Sequence, residues 1–367
     1  MRIRTRRTRV LTLASAAALA ASAWAGTALA GTALASTALA STAGSAAGRT
    51  AAAAVPAHVY APYFETYLPG SIVTTARQSR AHYLTLAFIQ TPAKGSCVPA
   101  WNGDAAQPLS AGRYLSQIAA LRAMGGNVIP SFGGFSADNG GTEIADSCTS
   151  VSKIAAAYEL LVSKYHHVTR LDMDVEAKSL DNSAGIFRRS KAIAMAQAWA
   201  AARGITLQVD FTIPVEPYGL DPNGLHVLRS AVANGVHIDV VNIMTFDYYQ
   251  THEGRVAMGA AAMSAAENVH NQLTGLYPSA TGAQLWHMMG MTLLPGIDDR
   301  GKIETTYLGN VKQLASFASR EHMSLLSIWA IQRDNGGCPG ATDSNTCSGI
   351  KQDPWAFSHL LEPFTTR

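Results

Sequence analysis

Leu171-Asp172-Met173-Asp174-Val175-Glu176 is the stretch on which the reading of the fold turns. Acidic and apolar residues alternate along it. Side chains in a strand point to opposite faces in turn, so Asp172, Asp174 and Glu176 share one face and Leu171, Met173 and Val175 the other. Packing three like charges together is costly unless some of them keep protons. Such a series suits an acid that stays protonated near neutral pH, and it is the reason to read the chain as an enzyme.

Strand-like runs recur on both sides of this stretch, at 58–63, 83–90, 127–133, 169–176, 206–214, 238–246, 287–293 and 325–331. Helix-like segments at 110–124, 151–165, 185–203, 222–234, 257–274, 308–321 and 354–361 separate them. The segment 222–234 opens on Asp221-Pro222 and stops at Gly235, a matched start and stop pair. Eight strands interleaved with helices predict an α/β fold, a (β/α)8 barrel in one domain. The rival is a doubly wound open sheet, which places a glycine-rich phosphate turn after its first strand. Here that position reads Phe64-Glu65-Thr66-Tyr67. A barrel puts its chemistry at the C-terminal ends of its strands. Tyr63, Ser131-Phe132-Gly133-Gly134, the carboxylate series, Met244 to Tyr248, and Trp329 all fall at such ends.

The folded domain is expected over 55–367. Five arginines precede an apolar run from Val10 to Trp24, with small-x-small sites at Ala23-Trp24-Ala25 and Ala28-Leu29-Ala30. Residues 1–30 therefore read as a secretory signal peptide, too short in its apolar core to span a membrane. Residues 31–54, with Arg49 their one charge, continue an Ala/Thr/Gly-rich repeat and read as a low-complexity leader or linker. Six arginines and no acids lie in residues 1–50, so the remainder carries 22 basic against 25 acidic residues. With no basic stripe, nucleic acid is not an expected partner. The charge balance fits a secreted, extracellular protein without stable membrane insertion. The chain has four cysteines, an even number that suggests two disulfides in an exported protein. Cys338 and Cys347 share one short loop and form the easy local pair, which leaves Cys97 with Cys148. A zinc site is the rival, but no Cys-x-x-Cys or paired-histidine spacing supports it.

These residues resemble the motifs of family 18 glycoside hydrolases. Ser131-Phe132-Gly133-Gly134 is similar to the SxGG motif, Leu171–Glu176 to the core of DxxDxDxE, and Met244-Thr245-Phe246-Asp247-Tyr248 to the strand-6 MxYD motif. Trp329 falls where the family has a strand-8 tryptophan under the reactive sugar. The stretches 222–248 and 333–349 look like those of secreted actinobacterial chitinases of this family. The resemblance implies Glu176 as general acid. It makes the carbonyl oxygen of the substrate's own 2-acetamido group the nucleophile, with an oxazolinium intermediate and retention at the anomeric centre. Asp174 would orient the acetamido N–H. Asp172 would share a proton with Asp174 and help raise the pKa of Glu176. Tyr63, Gly133, Gly134, Met244, Asp247, Tyr248 and Trp329 would contact substrate. The implied partner is chitin or N-acetylglucosamine oligosaccharides, with no cofactor, no metal and a monomeric chain. Two positions depart from the family pattern. Thr169 stands for the first Asp of DxxDxDxE. Phe246 stands for the Tyr of MxYD, which removes a hydroxyl that Tyr248 is a candidate to replace.

Blander readings compete. Asp-x-Asp-x-Glu alone is more often a calcium loop or a solvated edge strand, but the apolar neighbours and the missing loop glycine oppose that. Within enzymes, the alternative to a chitinase is an endo-β-N-acetylglucosaminidase acting on N-glycans. Outside them, it is a silent barrel that only binds chitin. Only Pro295 to Tyr307 separate the seventh strand from the next helix, too few for an α+β insertion, so an open groove and internal cleavage are expected.

Overall fold

The computed structural model describes residues 54–165, 168–248, 256–342 and 344–365. The expected signal peptide, and all of the expected leader but its last residue, lie outside them. Eight parallel strand positions form one sheet. They are β1 (Val59–Tyr60 and Tyr63–Glu65), β2 (Tyr83–Gln90), β3 (Asn127–Gly133), β4 (Arg170–Asp174), β5 (Gln208–Pro214), β6 (Val240–Met244), β7 (Met289–Leu293) and β8 (Leu325–Ile328). Each is followed by a helix: α1 (Ile72–Ser79), α2 (Leu115–Ala123), α3 (Val151–Lys164), α4 (Ser183–Ala201), α5 (Pro222–Ala233), α6 (Met258–Leu276), α7 (Leu308–Arg320) and α8 (Ala356–Leu361). This is the (β/α)8 barrel that the alternation predicts.

Closure explains why the first strand is broken. The expected 58–63 strand is split, and the extended pairing resumes at Tyr63. Val59–Tyr60 pairs with β8, and Tyr63–Glu65 pairs with β2. The break falls at Ala61-Pro62, and proline has no N–H to give a ladder. Both ends of the barrel sheet thus belong to one seven-residue stretch, which closes it among the described residues.

The alternation within each strand sorts two environments. Leu171, Met173 and Val175 join the large apolar core between sheet and helices. On the other side, Val59, Ala61, Tyr83, Ile129, Val240 and Leu325 form a separate apolar cluster. One turn of register further along the strands, the inward side chains become polar: Ser131, Asp172, Thr212, Asn242, Thr292 and Ser327, all buried. Strands covered on both faces need near-continuous apolar sequence, which is why the runs were legible. The helices owe their ends to local chemistry. Ser150 caps α3 by accepting the Lys153 N–H, Asn182 caps α4 by accepting that of Gly185, and Pro222 opens α5.

Several boundaries differ from expectation. The strand carrying the carboxylates stops at Asp174, and Glu176 leads into a 3-10 turn at Ala177–Leu180. The helix expected at 110–124 begins at Leu115, because a 3-10 turn ends at Gly112 with φ 79°. Short helices at Phe135–Gly140 and Ile144–Ser147 occupy the loop after β3. The segment after β7 holds a two-stranded hairpin, Gly296–Asp298 and Gly301–Thr306, rather than a subdomain.

Both disulfides pair as expected, Cys97 with Cys148 and Cys338 with Cys347, at Cα separations of 4.7 and 6.0 Å. The first closes a chain separation of 51 residues and ties the loop after β2 to the start of α3. Replacing both Cys97 and Cys148 by serine should lower the unfolding free energy by about 2–4 kcal/mol in urea titration. An unchanged midpoint would contradict a structural role for this bridge.

Candidate active site

At the C-terminal end of the barrel lies a cleft of about 410 Å³. Tyr63, Phe88, Phe135, Asp174, Glu176, Met244, Phe246, Asp247 and Trp329 line it, with Thr212, Glu216, Asp221, Asn223 and Asp299 among the polar groups. Trp329 follows β8 and stacks on Phe88 at 5.3 Å between centroids, with Tyr63 edge-on at 5.5 Å. These rings give the cleft an apolar wall suited to the C–H faces of a sugar.

The three carboxylates of the β4 series sit at successive heights. Asp172 is deepest, in the polar layer. Ser131 Oγ and Tyr63 Oη lie 2.6 and 2.9 Å from its Oδ2, and Thr212 Oγ1 lies 2.6 Å from its Oδ1. The layer continues across the barrel: Asn242 Nδ2 donates to Thr212 Oγ1 at 2.9 Å and to Thr292 Oγ1 at 2.7 Å. Below Asp172, Arg170 and Asp210 form a buried ion pair at 2.7 Å. Burial raises the Asp172 pKa, against the pull of the three hydroxyls and of Arg170. The Thr169 carbonyl accepts the Gln208 N–H.

Asp174 is 3% exposed, and its Oδ1 has no hydrogen-bond partner among the described residues. Burial raises its pKa well above the ordinary carboxylate range, and the charges of Glu176, Asp172 and Asp138 push the same way. Glu176 keeps an accessible edge in the cleft. Burial lifts it to about 7, offset in part by hydrogen bonds from the Phe135 N–H and from Asp174. The Asp174–Glu176 pair therefore retains a proton near neutrality, and its titration belongs to the pair.

Asp247 enters the cleft from the turn after β6, with φ 54°. The hairpin after β7 holds that turn. Asp298 Oδ2 lies 3.5 Å from the Asp247 N–H, and Glu304 Oε2 accepts the Tyr248 N–H at 3.0 Å. Arg300 bonds both the Tyr248 carbonyl and Glu304 Oε1, the latter at 2.8 Å. Burial first, then Asp299, Glu304 and Glu176, lift Asp247 to about 7.

Three of the expected substrate contacts lie off the cleft wall. Tyr248 is fully buried and absent from the cleft wall, because the left-handed turn at Asp247 sends its ring into the core. It cannot replace the hydroxyl missing at Phe246, which does line the cleft. Gly133 and Gly134 do not line it either. Their backbones have φ of 104° and 85°, and a Cβ on Gly133 would stand 2.0 Å from the Asp174 carbonyl oxygen. A Cβ on Gly134 would meet the Phe88 ring at 2.5 Å. These glycines permit close approach of β3 to β4 and of the turn to Phe88. Tyr63, Met244, Asp247 and Trp329 stand where expected. Sequence reasoning passed over Phe88, Thr212 and Phe135. Phe135 directly follows the Gly-Gly pair and is 62% exposed, a position that could have drawn notice.

No protein-family model matches the chain. A probable bifunctional chitinase/lysozyme of Escherichia coli strain K12 is 34% identical over 329 residues, covering 86% of this chain and 35% of that protein. Endochitinase 11 of Metarhizium anisopliae is 33% identical over 295 residues, 78% of this chain and 54% of that protein. The chain thus spans about a third to a half of the length of these curated relatives. Among solved structures, catalytic-site mutants of active domain 2 of a thermostable Pyrococcus furiosus chitinase, complexed with chito-oligosaccharides, superpose with a TM-score of 0.73 at 28% identity. That match covers 85% of this chain and 96% of theirs. These similarities support the resemblance to family 18 chitinases that the motifs suggest.

The buried carboxyls set a stability expectation. Glu65 and Asp247 are raised to about 7 and Asp298 to about 9, burial being the largest cause in each. An acid whose folded-state pKa is raised holds its proton more tightly when folded. Its contribution is present below the unfolded value near 4 and is lost as pH rises through the folded value. Scanning calorimetry should give a melting temperature that falls from pH 5 to pH 9. A melting temperature that rises over that range would contradict the protonated, buried state of these groups.

Proposed function

We propose that this chain is a secreted chitinase that hydrolyses β-1,4-linked N-acetylglucosamine polymers with retention, using the substrate's acetamido group as nucleophile. One observation carries the reading most: Glu176, a carboxyl lifted to about 7, sits at the edge of an aromatic-walled cleft directly above Asp174 and Asp172. In this scheme the sugar whose linkage is cut lies on Trp329. Glu176 gives its proton to the leaving oxygen while the acetamido carbonyl oxygen attacks the anomeric carbon. Held in place, that oxygen acts at high effective concentration. Asp174 accepts the acetamido N–H and steadies the positive charge of the oxazolinium. Asp172, fixed by Ser131, Tyr63 and Thr212, keeps Asp174 supplied with a proton partner. In the second half, Glu176 takes a proton from the water that opens the ring. Asp247 is placed to hold the substrate from the opposite wall, and Phe246 makes that wall less polar than the family pattern.

Retention of Glu176 and Asp174 favours catalysis over binding alone. The short hairpin after β7, in place of a subdomain, supports an open groove and internal cuts. The disulfides and the arginine-led N-terminus support export.

Glu176→Gln is nearly isosteric but has no acidic proton. It should bind chito-oligosaccharides like the wild type and lose about 10²–10⁴-fold or more of kcat. Release of reducing ends from colloidal chitin measures the loss, and viscosity of a soluble chitin derivative should drop early with the wild type. A variant within a few-fold of wild-type turnover would remove Glu176 from the acid role. A single disaccharide product without loss of viscosity would overturn internal cutting.

A further inference from the structure

The acid is not held by its own strand. β4 ends at Asp174, and Glu176 stands two residues beyond it, before a 3-10 turn. Such a position needs something else to fix it, since catalysis tolerates little displacement of a proton donor. The short helix Phe135–Gly140 after β3 meets it from the side. Its Asp138 is fully buried, and Asp138 Oδ2 accepts the Glu176 backbone N–H at 2.5 Å. That helix therefore grips the main chain of the acid through Asp138. Lys178, just past the acid, adds a second tie to the Asn139 carbonyl at 3.3 Å.

Asp138 is an expensive residue to bury without a purpose. Its Oδ1 has no hydrogen-bond partner among the described residues. The nearby cation, Arg189, is engaged by Glu143 at 2.8 Å. A buried polar atom without a partner costs free energy, so a site with nothing to anchor would be served better by an apolar residue. The glycines beside it belong to the same arrangement. A Cβ on Gly133 would press on the Asp174 carbonyl and stand 3.3 Å from Asp138 Oδ1.

We propose that Asp138 is a positioning residue for the general acid: it anchors the backbone of Glu176 so that the carboxyl stands over the cleft at the height of the scissile oxygen. The inference rests on Glu176 being the acid. It makes the hydrogen-bond acceptor, rather than the charge, the functional part of Asp138, in keeping with burial raising its pKa well above the ordinary range.

The test compares Asp138→Asn, Asp138→Leu and Asp138→Ala with the wild type and with Glu176→Gln, on a soluble chito-oligosaccharide. Asparagine keeps an oxygen for the N–H and should stay within roughly fivefold of wild-type kcat, since a displacement is avoided. Leucine and alanine lack the acceptor and should lose about 10²-fold in kcat, with KM within roughly threefold, the pattern of an interaction made in the transition state. Melting temperature is measured on each. If the leucine protein does not fold, the alanine and asparagine proteins decide. An acceptor-less variant that turns over within threefold of wild type overturns the proposal. So does an asparagine variant as slow as the leucine or alanine one, or a loss that appears in KM alone. Should Glu176→Gln itself remain active, the reading of the acid fails and Asp138 has no acid to position. If Glu176→Gln is inactive while Asp138→Leu is fast, only the positioning role falls.

Discussion

The barrel has to bury two carboxyl groups, Asp172 and Asp174, on the inward face of one strand with a third, Glu176, just beyond its end, and much of the site is arranged around that constraint. Asp172 meets it with hydroxyls. Ser131, Tyr63 and Thr212 satisfy its two oxygens, and Asn242 ties Thr212 to Thr292 on the far side. Asp174, above it, has fewer donors and shares a proton with Glu176 instead. A fully ionised series would place like charges together in a poorly solvated layer, so retained protons are the lowest-energy solution. The same physics that makes the layer costly at high pH therefore leaves a protonated carboxyl facing the cleft.

The surrounding elements position this series. β3 approaches β4 closely because Gly133 has no Cβ to collide with the Asp174 carbonyl. The aromatic wall depends on Gly134 in the same way, through Phe88, which carries Trp329. On the other wall, Asp298 and Glu304 face the two N–H groups of a strained turn and so aim Asp247 inward. Asp172, Glu176 and Asp247 are thus each steadied by a partner from a neighbouring βα loop or strand. That is how a barrel assembles one site from many strand ends.

Much of this was legible in the sequence because burial on both faces writes apolar runs, and because Asp-x-Asp-x-Glu alternates at the period of a strand. The disulfides were legible from count and spacing. Other features had no signal of their own. Thr212, Asn242 and Thr292 look like ordinary strand residues until the register brings them together. Asp138 lies in a six-residue helix too short to show a periodic pattern. Tyr248 was expected in the cleft as an aromatic at a strand end, but β6 ends at Met244 and the left-handed turn at Asp247 sends its ring into the core. The glycines were read as contacts, since a motif shows which residues recur and not whether they touch a ligand or make room for it.

The central claim is that a proton held on the Asp174–Glu176 pair is the one delivered to the leaving oxygen. The pH dependence of kcat/KM on a soluble chito-oligosaccharide tests it most directly, because it reports the ionisation of the free enzyme. The account predicts a rate that holds below neutrality and falls as pH rises through about 7, where Glu176 loses its proton. A rate that stays flat or climbs from pH 7 to pH 9 would contradict it, since the acid would then be working in its ionised form.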